Sequence, residues 1–513
     1  VSDRRNAHVR VAIAGSGFGG LGTAIRLLQE GETDFLVFER AADVGGVWRD
    51  NTYPGCACDV ESHLYSFSFA RNPEWTRRYS PWSEIQRYLR DCAERFGVLP
   101  HIRFGHEVTR ATWDEDALRW IVETTQGTFT ADVFVAATGA LSEPSIPRLP
   151  GLESFRGKAF HSARWDHGHD LRGRKVAVIG TGASAIQIVP EIQPKVGKLS
   201  LFQRTPPWVV PRRDRAITDL ERRLLRRSPS LQRFVRGAIW ARRELFACMF
   251  FDVRIARVVE RLALLYLEKT IADPVLRAKV TPNYRIGCKR ILISDDYLPS
   301  LTKHNVDVVT SPIREVREGS IVTEDGREHE VDTIVFATGF QVQDYPFKDR
   351  VRGRGGRTIA DVWKNGASAH LGTTLAGFPN FFVLQGPNTG LGHTSVIIMM
   401  EAQIEHMLGA LRFMRRHGYA SVEPKPEAQA AFVAEVDRKM RGTVWTAGGC
   451  SSWYLDANGR NSTLWPGFTF TFRRRVERFD PREYVLTRPY ATVRSRPLPS
   501  SQRRLEAEEV ARA

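Results

Sequence analysis

Val9-Arg10-Val11-Ala12-Ile13-Ala14-Gly15-Ser16-Gly17-Phe18-Gly19-Gly20 is the stretch that decides the fold of this chain. Its apolar run reads as a strand buried on both faces, and it leads directly into a glycine-rich turn. Helical periodicity follows through Leu21, Ile25 and Leu28 and stops at Gly31. A second apolar run, Phe35-Leu36-Val37-Phe38, ends on Glu39 with Arg40 beside it. Each part has a physical task. Gly15 permits the tight turn, Gly17 lets a pyrophosphate reach the backbone, and Gly20 lets helix and strand pack closely. The N-terminus of the helix that follows offers free N–H groups and the positive end of its dipole to phosphates. Glu39 accepts hydrogen bonds from a ribose diol. A strand, turn, helix and terminal acid in this register predict a dinucleotide site that suits FAD.

The same unit returns further along. Lys175-Val176-Ala177-Val178-Ile179 leads into Gly180-Thr181-Gly182-Ala183-Ser184-Ala185, then a helix, then the strand Leu199-Ser200-Leu201-Phe202. This second strand ends on Gln203-Arg204-Thr205 instead of an acid. An acid there would repel a 2′-phosphate, whereas Arg204 can pair with one. The second site therefore suits NADPH. Two further strands, Val133–Gly139 and Thr333–Gly339, both close on Ala-Thr-Gly and mark where the chain passes between domains.

The resulting fold expectation is α/β, with two Rossmann-like dinucleotide-binding domains and a helical insert in the NADPH domain. The expected boundaries are 1–140 and 339–495 for the FAD domain, and 150–210 and 283–338 for the NADPH domain. The insert spans 211–282, and a charged, proline-containing tail spans 496–513. A length of 513 residues and 42% hydrophobic content supply cores for such lobes. No apolar run is long enough to span a bilayer, and Val1 to Arg10 are polar, so a cytoplasmic protein is expected. Six scattered cysteines are read as small reduced thiols, with no metal site. The net charge of +16 comes without a nucleic-acid module, so no nucleic-acid partner is expected. The arginine-rich amphipathic insert offers a peripheral membrane contact, although a solvated helical face over a core is the commoner reading of such a pattern. Oligomeric state is not legible.

Between the two glycine turns stands Phe155-Arg156-Gly157-Lys158-Ala159-Phe160-His161-Ser162-Ala163-Arg164-Trp165-Asp166. Its Phe155, Gly157, His161, Trp165 and Asp166 match every defined position of the fingerprint F-x-G-x-x-x-H-x-x-x-W-[PD]. In this the chain resembles the type I Baeyer–Villiger monooxygenases. Gly45-Gly46-Val47-Trp48, Tyr53-Pro54-Gly55-Cys56-Ala57-Cys58-Asp59, Gly287-Cys288-Lys289-Arg290 and Cys450-Ser451-Ser452-Trp453 resemble further segments of that family. The resemblance implies FAD and NADPH as cofactors, with a ketone and O2 as substrates. The expected reaction places one oxygen atom beside the carbonyl, through a peroxyflavin, to give an ester or lactone.

The resemblance also implies roles. Asp59 and Arg290 are the expected active-site pair, with Arg290 stabilising anionic oxygen and Asp59 holding the guanidinium. Lys289 joins Arg204 and Thr205 around the 2′-phosphate, and Trp453 is placed at the nicotinamide-side ribose. Gly46, Val47, Trp48, Tyr65 and Val108 fall where the family contacts FAD. His161 is read as structural, in the linker between domains. Spacing alone does not bring Asp59 to Arg290, and a structural salt bridge is the plainer reading of the two. Two other functions stay open: a flavin monooxygenase acting on sulfur or nitrogen, and a non-catalytic redox flavoprotein.

Overall fold

Val11 and Ile13 alternate with Ala12 and Ala14, so one strand feeds two cores on opposite faces of a sheet. In the computed structural model, which describes residues 7–450 and 452–489, this strand is β1 (His8–Ala14). It is followed by α1 (Phe18–Gln29) and β2 (Phe35–Glu39). Next come β3 (Ile102–Phe104), β4 (Val108–Asp114), β5 (Arg119–Thr124) and β6 (Gly127–Ala136). β3, β2, β1 and β6 pair in parallel, and β5 and β4 continue the sheet antiparallel. Two later strands complete it in parallel: Phe381–Val383 beside β6 and Val351–Arg352 beside β4. Trp120 is fully buried in the second core, and its indole N–H donates to the Pro379 carbonyl at 2.9 Å.

The chain leaves this sheet after β6 and builds a second one. β7 (Lys158–His161), β8 (Lys175–Ile179), β9 (Lys198–Phe202), β10 (Val306–Val309) and β11 (Thr333–Phe336) form an all-parallel sheet in the order β10-β9-β8-β11-β7. α2 (Ala185–Ile192) crosses from β8 to β9. Besides the short helix Tyr297–Leu301, four helices stand between β9 and β10: α3 (Asp219–Arg227), α4 (Pro229–Phe251), α5 (Val253–Thr270) and α6 (Pro274–Val280). Each starts on a polar cap, and Thr218 forms a full capping box with Glu221. A long helix, α7 (Val396–His417), then packs on α1 beneath the first sheet.

The two nucleotide turns are built alike. Gly15 has φ +100°, and a Cβ there would lie 2.7 Å from the Ala137 carbonyl oxygen. Gly180 has φ +107°, and its Cβ would lie 2.5 Å from the Ala337 oxygen. The two Ala-Thr-Gly segments are thus the strands against which each glycine turn presses, which accounts for their recurrence.

The cysteine expectation is corrected. Cys288 and Cys450 are joined as a disulfide, while Cys56, Cys58 and Cys92 are buried free thiols. The pair is separated by 162 residues and carries no spacing motif, so local reading could not join it. The expected tail 496–513 lies outside the described residues, as does Ser451.

Candidate active site

Asp59 follows the turn Tyr53–Cys58, and Arg290 lies in the stretch between α6 and β10. The fold brings them together. Arg290 donates from Nε to one carboxylate oxygen of Asp59 at 2.8 Å, and its Nη2 lies 2.6 Å from the same oxygen as an ion pair. Burial opposes ionisation of Asp59, but the Arg290 charge and its hydrogen bonds outweigh that and hold the carboxyl below its usual range. Asp59 in turn raises the pKa of Arg290, so the pair is ionised throughout the neutral range. Both side chains keep about a third of their surface open, 31% for Arg290 and 30% for Asp59. The guanidinium is therefore held without being sealed off.

Several residues that support the pair were not legible in the sequence. Arg243 on α4 donates to the Asp59 carbonyl at 3.2 Å and to Glu61 at 2.8 Å. Glu61 is buried and also accepts from Arg242 and Arg78. Truncating one partner of a buried pair like Arg243–Glu61 typically costs about 3–5 kcal/mol, whereas the exposed Arg226–Glu74 contact contributes about 0–1. The insert is therefore anchored through Arg243 at the Asp59 loop. The buried Tyr454 phenol also neighbours Arg290; burial pushes its pKa up to about 12 and Arg290 opposes that rise. Cys288 and Cys450 tie the Arg290 segment to the segment carrying Trp453 and Tyr454. Both cysteines lie in segments that the family resemblance singled out, which is the one signal that pointed to them.

The second cationic feature lies beside the second glycine turn. The Lys289 ammonium sits 5.1 Å over the Tyr284 ring, and burial and then the neighbouring Arg204 lower its pKa. Among the described residues no carboxylate pairs with Lys289 or Arg204. Two unneutralised cations side by side are unfavourable unless an anion joins them. Thr181 donates its hydroxyl to the Thr205 carbonyl at 2.9 Å, which fixes the Arg204-Thr205 turn against the glycine loop. A Cβ on Gly182 would meet nothing, and Ala183 is exposed, so this face of the turn is open. Ser184 precedes α2 without capping it.

At the first turn, Gly20 has no room for a side chain, since its Cβ would lie 1.8 Å from the Gly15 oxygen. Gly17 faces the Gly46 backbone, and Val47 and Trp48 open a short helix there. The Trp48 indole donates to the Tyr65 hydroxyl at 3.1 Å, and Phe18 packs edge-on against Tyr65. Glu39 is buried and accepts from the Ser16 amide and hydroxyl at 3.0 and 2.6 Å. Arg40 pairs with Glu143 at 2.7 Å. Val108 opens β4, and its carbonyl accepts from Arg350. Ahead of α7, both ring nitrogens of His393 and the Thr394 hydroxyl are buried without hydrogen-bond partners. Glu244 approaches His393 at 3.5 Å without bonding to it.

The linker residues are structural in their contacts. His161 is buried, accepts from the Ala163 amide through Nδ1, and donates from Nε2 to the Gly339 carbonyl at 3.0 Å. That bond joins β7 to the point where the chain returns toward the first sheet. Gly157 abuts the Asp332 carbonyl, Phe155 packs in the small core beside β11, and Trp165 stacks edge-on with Phe160. Asp166 pairs with Lys158 at 3.3 Å. The Trp453 indole is 44% exposed and leans on Tyr454, so the fold does not bury it in the Arg290 cluster.

A family model described as "Flavin-binding monooxygenase-like" matches residues 8–239. A protein of Streptomyces coelicolor named Baeyer-Villiger monooxygenase is 56% identical over 94% of this chain and 93% of its own length. A Pseudomonas aeruginosa protein of the same name is 51% identical over 94% and 92%. Among solved structures, an oxidized steroid monooxygenase bound to NADP aligns with TM-score 0.84 and 30% identity over 94% of this chain and 99% of that one. A closed cyclohexanone monooxygenase aligns with TM-score 0.85 and 29% identity over 94% and 100%. OTEMO in complex with FAD and NADP aligns with TM-score 0.85 and 26% identity over 93% and 99%.

Proposed function

The chain belongs to the Baeyer–Villiger monooxygenases, and from that footing we propose that it is an FAD- and NADPH-dependent enzyme inserting one oxygen atom of O2 beside a ketone carbonyl. The product is an ester or lactone. The observation that carries this reading is the partly open Arg290 side chain held on Asp59.

The residues present fit both cofactors. The Gly15–Gly20 turn, the close Gly17–Gly46 backbones and the unpartnered His393 and Thr394 atoms ahead of α7 suit FAD beside the first sheet. Phe18, Trp48 and Tyr65 form an aromatic wall there. The unneutralised Arg204–Lys289 pair suits the 2′-phosphate of NADPH beside the second sheet. Bound together, the two cofactors supply reducing equivalents and activate O2. The protein's own part is electrostatic. Arg290 stays charged at any working pH and stabilises the negative charge that gathers on the ketone oxygen during insertion. Asp59 fixes the guanidinium in position, and Arg243 and Glu61 fix Asp59. The buried Tyr454 phenol neighbours Arg290 and adds a polar partner to that cluster.

Products from a panel of cyclic, linear and aryl ketones and a sulfide, read by mass spectrometry, test the reaction. Ester or lactone is expected; sulfoxide without ester from any ketone would overturn the reading in favour of sulfur oxygenation. Arg290→Ala should still consume NADPH yet lose ester formation by about 100-fold or more, the scale for removing one donor to an oxyanion. Normal ester yield in that variant would remove Arg290 from the reaction.

A further inference from the structure

A solvated helical face over a core would expose arginines and bury the apolar side chains. The insert does not follow that pattern. Ten of the sixteen large apolar side chains exposed among the described residues lie within α3 to α6. On α4, Phe234 and Leu245 are 72% and 74% exposed, with Ala238 and Ala241 between them on the same face. On α5, Ile255, Val258, Leu262 and Leu265 recur at spacings of three and four and are all exposed. These two helices pack on each other and join through Asp252 alone. α4 alone is about 35 Å long.

The charge around this face is predominantly positive. Asp219–Val280 carries +7 of the chain's +16. Arg223, Arg227, Arg233, Arg254, Arg257 and Arg261 are exposed, and none has a carboxylate within ion-pair distance among the described residues. Of the acids on α5, Glu260 is taken by Arg285, leaving Glu268 near the C-terminal end. Isolated apolar residues on a surface are ordinary, but a concentrated set ringed by free cations marks an interaction face.

We propose that the outer face of α4 and α5 docks on an anionic lipid surface. The apolar row would enter the acyl boundary while the arginines meet lipid phosphates. A second copy of the chain is a poorer occupant. A two-fold contact sets like patches against each other, so it would crowd Arg254, Arg257 and Arg261 of both copies with few acids to neutralise them. The inner face of α4 holds the Asp59 loop through Arg243, so docking there sets the active site close to the lipid.

Vesicle flotation of the FAD-loaded enzyme tests this, using phosphatidylcholine alone and phosphatidylcholine with one third phosphatidylglycerol. Binding is expected only with phosphatidylglycerol, and it should weaken as salt rises. Arg254→Gln with Arg257→Gln and Arg261→Gln should lower the affinity by ~10-fold or more. Leu245→Ser with Leu262→Ser should abolish binding while ketone-dependent NADPH consumption stays at the wild-type rate, because none of these side chains touches the site. No flotation on either vesicle would overturn the proposal. So would equal binding by the arginine variant, or a dimer in light scattering that the Leu245→Ser, Leu262→Ser variant dissociates.

Discussion

Lys289 holds its charge beside that of Arg204, and burial together with that neighbour lowers its pKa. The protonated form is the one that binds a phosphate. Because the depressed pKa is crossed earlier as pH rises, kcat/KM for NADPH should fall on the alkaline side before an ordinary lysine would titrate. The same ratio for NADH, which lacks the 2′-phosphate, should stay flat. Lys289→Arg should remove the alkaline fall, since arginine does not titrate there. Identical pH profiles for the two coenzymes would take Lys289 out of the phosphate site. At this scale the sequence was legible where structure is local: Arg204 follows its strand in the place where an acid stands after the first one. Asp59 and Arg290 were legible only through the family resemblance, because their contact is made by the fold across 231 positions. Arg243, Glu61 and Tyr454 carried no sequence signal, since nothing in a helical arginine tells which carboxylate it will meet.

Among elements, the glycine turns were readable because strand, turn and helix are contiguous and their geometry is dictated by a few backbone positions. α7 shows what is not readable. His406, in its middle, is fully buried, with Nδ1 2.8 Å from the Val476 carbonyl and Nε2 2.7 Å from the Tyr484 hydroxyl. Burial, and next the neighbouring His370, lower its pKa to about 4. In the unfolded chain it titrates near 6.5 (about the reference value), so the unfolded state takes up the proton first as pH falls. Stability contributed by neutral His406 is present above that value and is lost between about 6.5 and about 4, a change of roughly 3 kcal/mol. Denaturant unfolding across this window should therefore show a steeper acid loss in wild type than in His406→Gln. Parallel curves would exclude His406 as the source. The insert gives a complementary lesson. Its helices follow from periodicity and caps, but periodicity ranks residues around a helix without saying which side is covered.

Across the whole molecule, function depends on parts that lie far apart in the chain. The 53–59 loop of the first unit grips α2 of the second: the Gln187 side chain donates to the Ala57 carbonyl at 2.9 Å and accepts from the Tyr53 hydroxyl at 3.0 Å. His161 joins the second sheet to the returning chain, and Arg243 joins the insert to the Asp59 loop. The disulfide between Cys288 and Cys450 belongs with these ties, but it differs from them in one practical respect. Hydrogen bonds re-form whenever the protein is handled gently, whereas a sulfur–sulfur bond keeps a record of the flask. Enzyme prepared with a thiol reductant and enzyme prepared in air are two substances with one sequence, differing in how firmly the Arg290 segment is moored to the Trp453 segment. Ester yield per NADPH consumed should be higher for the air-prepared form, and Cys450→Ser should give the reduced-form value under either regime. Equal yields from both preparations, with thiol titration confirming the bond in one and its loss in the other, would show that the mooring is idle. Rates compared between laboratories are comparable only when the oxidation state of this one bond is stated with them.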